Sequence, residues 1–223
     1  MNVCLFDIDG TLIATGGAGK AALERALATL FGISVPIEKL QLSGRTDRAI
    51  VADLFRLHDL DHTPDNRARL TEAYLRHLPD CLAASAGRIL PGVAILLERL
   101  RSRGDVLLGL LTGNIRAGAR IKLGHYGLHE YFTVGGFGDH HTDRDDVARE
   151  ALADVKRHRN TVDPRRIWVV GDTPLDIRCA RAIGARAVAV GTGWHGMDEL
   201  AGHGPDLLLD DLSDHESLMS AIV

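Results

Sequence analysis

Short, unbroken apolar runs alternate along most of this chain with longer stretches of helical periodicity. VCLF at 3–6, VLLGLL (Val106–Leu111), RIWVVG (Arg166–Gly171) and RAVAVG (Arg186–Gly191) are the apolar runs, and helix-length segments separate them. Runs without a polar face belong to strands covered on both sides, so the pattern predicts an α/β protein with a doubly wound parallel sheet. LLLD at 207–210 is a weaker candidate for a fifth strand. Residues 16–87 behave differently. Leu23, Leu27 and Leu30, then Ile50, Leu54 and Leu57, then Leu70, Tyr74 and Leu78 recur at helical spacing, with no convincing strand between them. The expected organisation is a core of residues 1–15 and 88–223 carrying a small helical insert of residues 16–87. LPGV at 90–93 returns the chain to the core, with Pro91 expected in the first turn of a helix that buries Val93, Leu96, Leu97 and Leu100.

The apolar runs end on polar residues. VCLF delivers Asp7 and Asp9, VLLGLL delivers Thr112, Gly113 and Asn114, and RIWVVG delivers Asp172 and then Asp176. In an open α/β sheet the carboxyl ends of the strands are where ligands bind, so these groups converge on one crevice. Composition adds little: 45% hydrophobic and 25% charged residues fit a soluble globular protein. A formal net charge of −4 gives no general attraction to nucleic acid. Cys4, Cys81 and Cys179 are widely spaced and read as buried thiols in a reducing compartment. With no secretory pattern and no membrane-spanning run, a cytoplasmic protein without nucleic-acid or membrane partners is expected.

Two phosphate-handling devices compete near the start. GGAGK (Gly16–Lys20) suggests a nucleotide-binding loop, but Ala14 stands where that motif needs its first Gly and Ala21 where it needs Ser or Thr. A hinge or flap, with a helix starting near Ala18, fits better. DIDGT has the stronger claim. Asp7 can attack phosphorus to give an aspartyl-phosphate, and Asp9, two residues on, can handle the leaving group's proton. Facing a phosphate dianion, the carboxylates need a cation, and Asp172 and Asp176 offer hard oxygens for Mg²⁺. Alone, the pair reads as a helix cap and a first-turn dipole partner; beside DIDGT, metal binding is the expectation.

DIDGT at 7–11, LTGN at 111–114 and GDTPLD at 171–176 resemble, in order and spacing, three of the four signature motifs of the haloacid dehalogenase-like hydrolase superfamily. The insert looks like that family's C1 cap on a Rossmann-like core. The resemblance implies that Asp7 is the nucleophile and a magnesium ligand, and that Asp9 is the general acid/base with its backbone carbonyl on the metal. Thr112 and the backbone of Gly113 and Asn114 would hold the transferring phosphoryl group. Asp172 would complete the magnesium site, with Asp176 in or next to that shell. Asp9 selects the branch, since members that cleave carbon–halogen bonds lack an acid there.

The fourth family motif departs from pattern. Most members carry a Lys between the second and fourth motifs, yet Gly135–Leu152 contains none, and Arg144 sits where it is expected. Arg supplies the same charge with a bidentate fork, so Arg144 is expected to take the role; Lys122 and Lys156 lie inside helical patterns and are expected to face solvent. DHHTD (Asp139–Asp143) reads as a polar loop rather than a transition-metal site, and His195 in GTGWHG carries no assigned role. SGRTD at 43–47 resembles the substrate-facing cap loop of phosphoglycolate phosphatase and β-phosphoglucomutase relatives. Arg45 would then reach a distal group of the substrate; otherwise Ser43 or Thr46 merely caps a helix and Arg45 is solvated. The expected activity is Mg²⁺-dependent hydrolysis of a small phosphorylated metabolite. A sugar phosphomutase using the same Asp7 and Asp9 is the alternative, and a binding protein that has lost turnover is a more distant one.

Overall fold

Residues 1–34, 42–159 and 161–222 are described by the computed structural model. Strand β1 (Asn2–Phe6) is buried along its whole length, as its unbroken apolar run requires. It lies between β4 (Val106–Leu111) and β6 (Ile167–Gly171), both parallel to it. With β5 (Val134–Gly136), β7 (Arg186–Val190) and β8 (Leu207–Leu209) they form one parallel sheet in the order β5-β4-β1-β6-β7-β8. Winding proceeds outward from β1 to β4 and β5, then crosses to β6 and continues the other way. The order therefore reverses at β1, and the connections leaving β4 and β6 diverge to open a crevice above its carboxyl end.

Successive side chains point to opposite faces. Cys4, Phe6, Leu108, Leu110, Trp168 and Val170 enter one apolar cluster with α4 (Val93–Arg103) and α9 (His215–Ala221). Val3, Leu5, Leu111, Ile167 and Val169 enter a second with α6 (Arg144–His158) and α7 (Pro174–Ala182). The sheet connection β7 to β8 runs through the short α8 (Met197–Gly202). A third cluster joins α1 (Ala18–Phe31), α2 (Asp47–Leu57) and α3 (Pro64–Ala84), the helices that the periodicity of residues 16–87 anticipates. Helix α5 (Arg116–His125) serves both sides, giving Ala119 and Leu123 to the first cluster and Ile115 and Ile121 of its flank to the third.

Several details depart from the sequence reading. Strand β5 was not anticipated, because VGG is three residues long and mostly glycine. Two more short strands, β2 (Ile13–Ala14) and β3 (Arg88–Ile89), pair antiparallel where the chain leaves and re-enters the sheet layer. Pro91 precedes α4 rather than opening it, since Gly92 at φ 77° is the N-cap; Val93, Leu96, Leu97 and Leu100 are all buried as expected. Leu57, at the last position of α2, is 49% exposed rather than buried.

Because Leu97 is fully enclosed, Leu97→Ala leaves a cavity that close-packed neighbours fill only in part. Urea titration should find the variant about 2–5 kcal/mol less stable, with an unchanged dependence on denaturant.

Candidate active site

The carboxyl edge of β1 sets the geometry. The Asp7 N–H still donates to the Val170 carbonyl of β6 at 2.9 Å, so the residue is held in register with the sheet while its carboxylate enters the crevice. The chain then turns at Gly10, which has φ 88° and closes the loop by donating its N–H to the Ile13 carbonyl at 2.9 Å. A Cβ on Gly10 would overlap the Asp172 carboxylate, and so would one on Gly193, in the loop leaving β7. Backbone thus packs directly against Asp172 from two sides. Its Oδ1 accepts from the Thr11 hydroxyl at 2.9 Å.

Ligand oxygens of Asp7, Asp172 and Asp176 all lie within 4.8 Å of one another, and all three residues are buried. Burial, opposed by Arg144 and reinforced by Asp176 and Asp9, pushes the Asp7 carboxyl up to about 7. Burial together with Asp176 and Asp7 also holds Asp172 well above the carboxylate range. Asp7 Oδ1 is enclosed without a hydrogen-bond partner. Three hard-oxygen groups with too little positive charge, one of them with an unpartnered buried oxygen, are a donor set that fits a divalent cation.

Asp176 is the most committed of the three. Its Oδ2 accepts from the Thr173 N–H at 3.1 Å and hydroxyl at 2.7 Å, and the Asp176 N–H returns a bond to Thr173 Oγ1, forming the capping box of α7. Thr173, not Asp172, is therefore the helix cap. The other oxygen of Asp176 accepts from Arg144 Nη2. Arg144 is the first residue of α6, only 3% exposed, with Nη1 3.7 Å from Asp7 Oδ1. Burial opposes its charge, but Asp176 and Asp7 outweigh that and raise its pKa.

The loop after β4 brings in the second group. Thr112 is buried, and its hydroxyl accepts from the Asn114 N–H at 3.3 Å and from Asn114 Nδ2 at 2.9 Å. Asn114 Nδ2 also donates to Asp9 Oδ2 at 2.8 Å. Lys122 does not face solvent, contrary to the sequence reading. It is buried, and its Nζ donates to Asp9 Oδ2 and to Asn114 Oδ1, both at 2.7 Å. The overlooked signal is periodic: Ile115, Ala119 and Lys122 stand at i, i+4 and i+7, which sets Lys122 on the apolar stripe of α5. Lys156 is exposed, as anticipated.

Helix α2 docks on the same loop. Thr46 caps it by accepting from the Ala49 N–H at 3.1 Å. The Asp47 N–H donates to the Gly113 carbonyl and Asp47 Oδ2 accepts from the Ile115 N–H, both at 2.8 Å. Arg45 lines the cleft, but its Nη1 is paired with Asp53 Oδ2 at 2.6 Å. The cleft between this loop, the carboxylates and helices α1–α3 measures about 1220 Å³. GGAGK forms no anion loop: Lys20 sits in the first turn of α1, 3.7 Å from Glu24. His141 pairs with Glu150 and His195 with Glu199, and no histidine joins a metal-type cluster among the described residues.

An open parallel sheet with buried carboxylates where its strand order reverses is the doubly wound architecture that binds ligands in the crevice at that point. Comparison with known proteins makes this specific. A model of the haloacid dehalogenase-like hydrolase family matches residues 4–190. The phosphoglycolate phosphatase of Synechococcus elongatus is 35% identical over 96% of this chain and 95% of its own. A pyrophosphatase of Bacillus pumilus is 27% identical over 99% of this chain and 97% of its own. The structure of CbbY from Rhodobacter sphaeroides in complex with phosphate matches with a TM-score of 0.74 and 25% identity, over 96% of both chains. The chain belongs to the haloacid dehalogenase-like hydrolase family.

Two predictions come from this geometry. Gly193→Ala forces its new methyl into the Asp172 carboxylate; because small misplacements at a reacting centre are costly, phosphate release should fall by about tenfold or more while the far-UV circular dichroism stays native. Burial, only partly offset by Lys122, raises the Asp47 carboxyl to about 6. Between the ordinary carboxylate value and that point the folded chain keeps a proton that the unfolded chain has lost, so Asp47 makes stability fall as pH rises through this window. Asp47→Asn should therefore gain on the wild type, by on the order of 1–3 kcal/mol in denaturant titrations, between pH 4 and pH 7.

Proposed function

We propose that this chain hydrolyses a small phosphate monoester through an aspartyl-phosphate on Asp7, with Mg²⁺ as cofactor. The observation that carries the reading is the buried, unpartnered Asp7 oxygen at the carboxyl end of the central strand, with Asp172 and Arg144 beside it. In the first step an Asp7 oxygen forms a bond to phosphorus as the bond from phosphorus to the ester oxygen breaks, and Asp9 delivers the proton that the departing oxygen takes. In the second, water attacks the same phosphorus, Asp9 accepts its proton, and the Asp7 carboxylate is released. Thr112 and the backbone of Gly113 and Asn114 hold the phosphoryl oxygens. Arg144 takes the role of the family's motif lysine, anchored by Asp176 and directed at Asp7.

Asp7, Asp172 and the Asp9 carbonyl would hold the metal, with Asp176 adjoining them. When bound, Mg²⁺ neutralises the clustered carboxylates and the incoming phosphate. Residues 16–87 act as the cap over a core of residues 1–15 and 88–223, excluding bulk water while Asp7 is phosphorylated. Arg45, at the cleft wall and paired through Nη1 with Asp53, offers its remaining guanidinium N–H groups to a distal anionic group of the substrate. Phosphoglycolate is the first substrate to try, given the name of the Synechococcus relative.

The test is phosphate release from phosphoglycolate and from p-nitrophenyl phosphate, with Mg²⁺ or with EDTA, in the wild type and in Asp7→Asn. EDTA should abolish turnover reversibly, and Asp7→Asn should lower it by about 10³-fold or more. Turnover that survives Asp7→Asn overturns the nucleophile assignment, and a parallel incubation with glucose 1-phosphate that yields isomerised sugar phosphate without free phosphate overturns the hydrolase reading.

A further inference from the structure

The Asp9 carboxylate is held at one oxygen only. Lys122 Nζ and Asn114 Nδ2 both donate to Oδ2, at 2.7 and 2.8 Å, and no hydrogen bond reaches Oδ1 among the described residues. The two donors are tied to each other, since Lys122 Nζ also donates to Asn114 Oδ1 at 2.7 Å, and Asn114 is tied in turn to Thr112. The result is a closed triangle of ammonium, amide and carboxylate next to the Asp7 crevice. An oxygen that already accepts from an ammonium and an amide has no room for a proton of its own. Any proton on Asp9 therefore sits on Oδ1.

Lys122 is an enclosed cation beside a more open carboxylate. Its side chain is 7% exposed, while that of Asp9 is 40% exposed. Burial works against its charge, and Asp9, Tyr74 and Asp47 together reverse that effect and raise its pKa. Asp47 and Tyr74 come from α2 and α3, and Gly19 of α1 lies against the ammonium, where a Cβ would come within 3.5 Å of Nζ. Helices on the far side of the cleft therefore desolvate a cation whose short bonds go to the sheet side.

We infer that Lys122 is a positioning residue for proton transfer: with Asn114 it pins Asp9 by Oδ2 and so presents Oδ1 to the leaving oxygen. This rests on the phosphatase reading above. The positive charge that the family places on one motif lysine is divided here, with Arg144 directed at Asp7 and Lys122 at Asp9. During the first step the proton passes from Asp9 Oδ1 to the ester oxygen as the bond to phosphorus breaks, and Lys122 neither gains nor loses one.

The role has a signature that a merely structural lysine lacks, because help from Asp9 matters most when the leaving group is poor. The experiment measures kcat/KM for phenyl phosphate and p-nitrophenyl phosphate, two neutral-bodied esters of similar shape whose leaving groups differ in acidity, in the wild type, Lys122→Met, Lys122→Arg and Asp9→Asn. Met matches the length of Lys and suits a buried site, so Lys122→Met should fold. It should lose about ten times more activity on phenyl phosphate than on p-nitrophenyl phosphate, as should Asp9→Asn, while Lys122→Arg returns part of the wild-type ratio. Equal losses on both esters, or a preference that differs from that of Asp9→Asn, would overturn the assignment. An Asp7→Asn control separates the two levels of the argument. If wild-type turnover does not depend on Asp7, the phosphatase reading fails and the role of Lys122 falls with it; if that dependence holds but the losses are uniform, only the role of Lys122 fails.

Discussion

Negative charge crowded into a dry place is the constraint around which the site is built. Asp7, Asp172 and Asp176 face one another within 4.8 Å, buried, with the enclosed Arg144 paired to Asp7 and Asp176. In water such repulsion would be modest, but at the lower effective dielectric of a protein edge it is several-fold larger. Everything nearby serves to hold the carboxylates together regardless: sheet register fixes Asp7, a threonine hydroxyl fixes Asp172, and the capping box with Arg144 fixes Asp176. The cluster is held in a crowded charge balance that a divalent cation would relieve, which is what preorganisation means here.

The same economy governs the seam between the sheet and the helices above it. Helix α5 belongs to both apolar clusters, and the loop that precedes it carries Thr112, Gly113 and Asn114. Asp47 reaches across to bond the backbone of that loop on both sides of Asn114. Contact between α2 and the sheet layer therefore shapes the loop that carries Thr112, Gly113 and Asn114, so the helical roof and that loop are not independent parts.

Much of this was legible in the sequence. The apolar runs marked the central strands because those strands are covered on both faces, and Asp7 and Asp172 stood out because each follows such a run directly. Strand β5 escaped because three residues rich in glycine carry no periodic signal. Lys122 escaped for a different reason: a charged residue in a helical pattern is ordinarily solvated, and only its i, i+7 relation to Ile115 indicated otherwise. The sequence set a helix-start role against a metal role for Asp172 and Asp176, but it did not show that Thr173 is the cap and Asp176 its capping-box partner. The pairing of Arg45 with Asp53, eight positions along, likewise depends on how the loop enters α2.

The small antiparallel pair of Ile13–Ala14 with Arg88–Ile89 has a consequence for how such a protein can change. It clamps the outgoing and returning segments side by side, so the chain passes from the sheet layer into α1–α3 and back through one two-stranded stalk. A short turn grafted across Ala14 and Arg88 would close the sheet layer with little loop-closure entropy, and a different set of helices could be spliced onto the same stalk without disturbing the strand that bears Asp7. Any such exchange would have to reproduce Asp47, whose bonds to Gly113 and Ile115 tie the helices to the loop beside Asp7.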